Sequence, residues 1–164
     1  MVHRSKPTPN PTNPPQRKGS APARLKSANW LLSQLPGLSE QDQAKLRSLN
    51  ITTTHQLLKT AWTATAREAL AAQLNLHLQH VQKWVALADL ARVPSVGCQY
   101  NGLLLHAGVA TVERLAQLQA GQLHRQILKL QVTIMQRPDL CPNAGEISHW
   151  IRQAQLLLVY ERQP

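Results

Sequence analysis

From Ser27 almost to the end of the chain, apolar residues recur at intervals of three and four, as in Leu32, Leu35, Leu38 or Val81, Trp84, Val85, Ala88. That is the period of a helix with one buried face. Strand signals are nearly absent, because Phe is missing, aromatics make up 4% of the chain, and the β-branched residues are scattered among Leu, Ala and Gln. The pattern predicts an all-α fold. Breaks are expected at Pro36-Gly37, Asn50, Thr63, near Asn75, at Pro94-Ser95, Gly108, near Gly121 and across Arg137–Gly145, so the helices are short.

Residues 1–26 have no such pattern. They are Pro, Thr, Asn, Ser and Lys/Arg, with Val2 almost the only sizeable apolar side chain. A segment of that composition cannot bury enough surface to offset the entropy of ordering, and is read as disordered in isolation, with extended stretches around Pro7, Pro9, Pro11, Pro14 and Pro15.

The periodic part repeats itself. A shift of 58 residues pairs Leu32 with Leu90, Leu35 with Val93, Pro36 with Pro94, Leu38 with Val96, Leu46 with Leu104, Asn50 with Gly108, Ile51 with Val109, Thr53 with Thr111, Leu57 with Leu115 and Leu70 with Leu128. Later the shift becomes 66 and pairs Val81 with Ile147, Trp84 with Trp150, Val85 with Ile151, Ala88 with Ala154 and Leu90 with Leu156. The difference of eight residues places an insertion in the second copy near 137–145.

Each copy is expected to contain a helix, a tight Pro hairpin, a second helix with a left-handed cap, and a third helix opened by Thr. Pro36 and Pro94 sharpen the hairpins, Gly37 and Gly97 supply unusual backbone angles, and Asn50 and Gly108 form the caps. Ile51 and Val109 then enter the core, and Thr53 and Thr111 start the next helices.

These strings, Leu35-Pro36-Gly37-Leu38 with Asn50-Ile51-Thr52-Thr53, and Val93-Pro94-Ser95-Val96-Gly97 with Gly108-Val109-Ala110-Thr111, resemble the helix-hairpin-helix superfamily. With Trp150-Ile151-Arg152-Gln153-Ala154, residues 30–158 resemble an uncharacterised double helix-hairpin-helix family, a domain of unknown function found largely in cyanobacteria. The resemblance implies two tandem repeats packed as one helical domain and brings no activity with it. Its distribution among photosynthetic bacteria makes a light-harvesting assembly one candidate partner. The division expected is a tail (1–26), a first repeat (27–79), a connecting helix (80–92) and a second repeat (93–160) with the insertion and a C-terminal helix.

Charge sharpens this picture. The chain carries 18 Lys+Arg against 8 Asp+Glu. Arg4, Lys6, Arg17, Lys18, Arg24 and Lys26 precede Trp30 with no acid among them, which leaves the remainder nearly balanced. A basic arm on such a body points to a polyanionic partner: nucleic acid, an anionic membrane or an acidic protein surface. No apolar run approaches a membrane span and the first residues lack a secretory core, so a cytoplasmic protein without a transmembrane segment is expected, associated with a large complex.

In many helix-hairpin-helix proteins the hairpin lies against a phosphate. Here Ser39-Glu40-Gln41-Asp42 reads as a capping box whose two carboxylates repel an anion from the first hairpin. The second hairpin has no acid, which makes Gly97, Cys98 and Gln99 the candidate phosphate-binding residues. Signals of catalysis are weak. His77 and His80 share a helical face without a third ligand, and His106, His124 and His149 stand isolated. Cys98 is near a helix start that would lower its pKa, but spacing identifies no base for it. Cys98 and Cys141 fit two reduced thiols better than a disulfide. Trp84 and Trp150 read as core anchors, whereas Trp30 and Trp62 are candidate exposed interface residues.

The expectation is a non-catalytic adaptor or linker that binds an acidic protein or complex through its tail and helical body. It would use no cofactor, metal or small-molecule substrate. The alternative is sequence-independent DNA or RNA binding through the tail and the second hairpin.

Overall fold

The computed structural model describes residues 24–162. Its regular structure is helical: α1 (Glu40–Ser48), α2 (Thr54–Thr60), α3 (Ala64–Leu74), α4 (Leu78–Ala91), α5 (Gly97–His106), α6 (Val112–Gln117), α7 (Ala120–Thr133) and α8 (Ala144–Glu161), with 3-10 turns at Leu32–Gln34 and Pro138–Leu140. The described residues form no strand, only one isolated bridge between Leu31 and Thr53. The chain is all-α, and no described helix is long and apolar enough to cross a membrane.

Local chemistry sets the helix ends. Ser39, Thr53, Thr63, Thr111 and Asn143 each accept a backbone N–H of the first turn, a contact worth about 1 kcal/mol at each end. Asn50, Asn75 and Gly108 adopt left-handed angles (φ 61°, 54° and 89°) just past the ends of α1, α3 and α5. Ser39 departs from the expected capping box. Asp42 accepts from the Ser39 hydroxyl at 2.8 Å, because its side chain is one methylene too short to reach back to the N-cap N–H as Glu does. Full capping boxes form instead at Thr53 with Gln56 and at Asn143 with Glu146.

Two apolar clusters fill the interior. The first runs from Leu32 to Ala88 around Trp84, the second from Leu90 to Leu157 around Trp150. Helix α4 serves both, contributing Val81, Trp84, Val85, Leu87 and Ala88 to one and Leu90 to the other. A helix apolar on nearly all sides over its last two turns must be covered from both directions.

Helices α2 and α6 begin 58 residues apart (112 − 54), and α4 and α8 begin 66 apart (144 − 78). The connection from α3 to α4 spans residues 75–77 and that from α7 to α8 spans 134–143, so most of the additional residues lie between α7 and α8. Two sequence pairs diverge in burial. Leu70 is buried but Leu128 is exposed, and Ile127 takes the inward position on α7, because that helix is seated one residue out of step. Leu90 is fully covered whereas Leu156 is 38% exposed, since α4 receives a second cluster and α8 does not.

The helix expected ahead of the first hairpin is absent. Residues 24–31 run extended across the molecule as a strap, ending in the turn Leu32–Gln34. Ala28 N–H donates to the Arg92 carbonyl (2.9 Å), Thr54 N–H donates to the Trp30 carbonyl (2.8 Å), and Leu32 N–H donates to the Thr52 carbonyl (3.0 Å). Backbone groups of this segment are thus satisfied by α4 and by the start of α2 rather than by helical bonds.

Candidate functional site at the seam between the two clusters

The residues between α2 and α3 place Trp62 on the surface, 52% exposed, at the mouth of a cleft of about 440 Å³. Val85 and Ala86 of α4 and Ala110 ahead of α6 supply apolar lining, while Arg67, Gln82, Asp89, Thr111 and Glu113 supply the polar lining. A cleft of this size with a few convergent polar groups is the usual form of a recognition site. Arg67 of α3 fixes the Trp62 backbone, its Nε donating to the Ala61 carbonyl (3.0 Å) and its Nη2 to the Trp62 carbonyl (2.7 Å).

Behind the indole lies a buried charge cluster. Arg92 stands 5.9 Å over the Trp62 ring, donates from Nε to Asp89 Oδ1 (2.9 Å) and pairs through Nη1 with Glu161 at the end of α8. Its Nη2 is 2.8 Å from the same Asp89 oxygen, close enough to pair but off the line of a hydrogen bond. Asp89 Oδ2 accepts from Val112 N–H at the start of α6 (2.9 Å). Burial pushes the Asp89 carboxyl above its ordinary value, and the Arg92 charge opposes that shift. A second depression on the other side of the indole is lined by Ser27, His55, Leu58, Lys59, Arg92 and Glu161. Trp62 therefore divides two adjoining hollows, with a guanidinium beside it.

The two tryptophans left open by the sequence part company here. Trp30 is half-buried, with Nε1 donating to the Ala91 carbonyl (2.9 Å), and it anchors the strap. Trp62 remains exposed. What would have distinguished them is the position of the second cluster relative to the first, which no local spacing encodes.

At the second hairpin, Ser95 N–H donates to Gln153 Oε1 (2.9 Å), and the N–H groups of Val96 and Gly97 both donate to the Val93 carbonyl (3.0 Å each). Gly97 is buried with φ +50°, and a Cβ there would lie 2.8 Å from the Trp30 ring. Of the candidate phosphate ligands, Gly97 is thus engaged and covered, Cys98 is half-buried, and Gln99 is exposed. Gly97→Ala is expected to cost about 1–3 kcal/mol from left-handed strain plus displacement of the indole, read by urea unfolding. An unchanged midpoint would contradict this packing. Burial pushes the Cys98 thiol up, not down as its place near a helix start suggested. The first hairpin, Pro36-Gly37, packs beside Lys83, Leu87, Gly102, Leu105 and His106 in a shallow hollow.

Of the tail cations, Arg4, Lys6, Arg17 and Lys18 lie outside the described residues. Arg24 donates to the Tyr160 carbonyl (3.4 Å) and lies 5.5 Å over the Tyr160 ring, and Lys26 is exposed. Leu25 between them packs on the second cluster. His77 and His80 are exposed, with the His80 ring 6.3 Å from that of Trp84, and no group of three metal-ligating side chains gathers among the described residues. His106 and His149 are exposed and His124 is half-buried. Cys98 and Cys141 are free thiols. Trp84 and Trp150 are buried, the latter 4.8 Å from the Tyr100 ring.

Among known proteins, a family model described as "Domain of unknown function (DUF4332)" matches residues 36–157. No curated protein and no solved structure matches the chain.

Proposed function

From the premise that the chain belongs to the DUF4332 family, we propose that it is a non-catalytic adaptor that binds an acidic protein partner through the Trp62 cleft and the basic residues of its N-terminal segment. The observation that carries this reading is Trp62 itself: a half-exposed indole at the mouth of an apolar cleft, its backbone clamped by Arg67 and its ring backed by Arg92. Trp and Arg at the rim of a desolvated pocket are the residue types that dominate binding energy at protein interfaces. An apolar side chain of the partner would sit on Val85, Ala86 and Ala110, with a flanking carboxylate facing Arg67.

The architecture proposed is two tandem helix-hairpin-helix units sharing α4. It is supported by the common spacing of α2 with α6 and α4 with α8, by the left-handed caps Asn50 and Gly108, and by the matched burial of Trp84 and Trp150. A cytoplasmic setting, attachment to a large complex and a cyanobacterial distribution belong to the same reading and rest on the sequence resemblance. Nucleic-acid binding is less well supported, because Gly97 is spent on internal contacts.

The test is a pull-down from native extract with and without nuclease, using the full chain and Trp62→Ala. The expected result is nuclease-resistant capture of a defined acidic protein, weakened at least tenfold (about 1.4 kcal/mol) by Trp62→Ala with little change in thermal stability. Recovery of nucleic acid alone, or capture indifferent to Trp62, would overturn the proposal.

A further inference from the structure

The end of α7 and the connection after it carry a concentrated display of apolar side chains. Leu128 and Val132 face outward from α7, and Ile134, Met135 and Leu140 follow, with Ile134 73% exposed. These five are the majority of the nine large apolar residues exposed among the described residues. Packing does not require them there, because α7 already buries Leu123 and Ile127 on its other face.

The display is held in place. Ile134 and Met135 N–H groups both donate to the Leu130 carbonyl (3.0 and 3.2 Å), and Arg137 N–H donates to the Gln131 carbonyl (2.9 Å). Gln136 adopts a left-handed conformation (φ 53°) that a non-glycine residue takes at a cost.

Charge identifies what this surface suits. Between His124 and Pro138 there is no acid, and the first one, Asp139, is neutralised by Arg137 at 3.0 Å. Exposed Arg125 and Lys129 each stand three residues before Leu128 and Val132, on the same helical face. A second copy docked through the same face would set one cationic surface against another. None of the five apolar residues lines the hollows beside Trp62 or the first hairpin, and the greatest exposure is at Ile134, in the connection after α7. A soft anionic phase accepts exposed apolar side chains beside cations without a matching groove.

We propose that this face docks on an anionic lipid surface, with Ile134, Met135 and Leu140 entering the acyl boundary and Arg125 and Lys129 lying among the headgroups. The site is separate from the Trp62 cleft, and its test does not depend on the adaptor reading.

The experiment uses the purified full chain with vesicles of phosphatidylcholine alone or mixed with phosphatidylglycerol. Because the N-terminal cations also attract anionic vesicles, the rise in surface pressure of a phosphatidylglycerol monolayer is read alongside co-sedimentation. Binding to anionic vesicles only, with a pressure rise, is expected. Ile134→Asp combined with Met135→Asp should weaken binding at least about tenfold and abolish the pressure rise while leaving the thermal melt unchanged. Lys129→Glu should weaken binding in a salt-dependent way, and Trp62→Ala should bind like the parent. The proposal is overturned if the double variant raises the pressure equally, or if the parent ignores anionic vesicles. It is also overturned if the double variant abolishes self-association or protein capture instead, which would assign the face to a second copy or to a protein.

Discussion

Arg92→Leu should destabilise the folded chain by about 3–5 kcal/mol at neutral pH, more than its loss of packing explains, because it strands a buried carboxylate. Asp89 and Arg92 are both almost wholly covered, and Asp89 holds Arg92 Nε and Val112 N–H on separate oxygens. Burial already lifts the Asp89 carboxyl above its unfolded value, and the Arg92 charge restrains that lift. Removing Arg92 raises it further. A carboxyl lifted on folding binds its proton more tightly in the folded state, so its burden is greatest above the folded pKa and shrinks as pH falls toward the unfolded one. The Arg92→Leu deficit should therefore narrow on acidification. Asp89→Asn in the same background should recover part of it at pH 7, since Asn keeps an acceptor for Val112. Urea unfolding at pH 7 and pH 5 measures this, and a deficit independent of both pH and the second substitution would refute the role given to Asp89.

Trp84→Ala is expected to cost about 3–5 kcal/mol, by cavity formation around a side chain that is 1% exposed at the centre of the first cluster. Trp150→Ala should cost a similar amount from the second cluster. Because α4 contributes Ala88 to one cluster and Leu90, two residues on, to the other, neither loss can stay local. Both variants should unfold in a single transition, observed at the same denaturant concentration by tryptophan fluorescence and by far-ultraviolet circular dichroism. Domains of this size hold only about 5–15 kcal/mol in total, so either variant approaches the limit of folding. Two resolved transitions would mean that the clusters are independent units.

Features encoded within a few residues were legible in the sequence. Thr53 and Thr111 ahead of their helices, Asn50 and Gly108 as left-handed caps, and Ile51 and Val109 turning inward depend on neighbours only a few positions away. What could not be read depends on distant partners. Asp89 and Arg92, three apart on a helix, look like a surface pair until α6 and α8 close over them. Leu25 carries no periodicity, yet it is held by the second cluster far along the chain. The mismatch of Leu70 with Leu128 arises from a one-residue difference in seating, which a linear shift cannot express. Trp30 and Trp62 were equivalent candidates in the sequence, and only the strap's bonds to Ala91 and Thr54 separate them. The candidate site was thus visible as a residue type and invisible as a place.

The contact between Arg24 and Tyr160 brings the first and the last of the described residues to one corner of the molecule. A short linker running from Arg162 to Arg24 could therefore close the described residues into a ring at that corner. Such a circular arrangement would leave the pair of clusters undisturbed, provided the chain were reopened on the surface between α7 and α8.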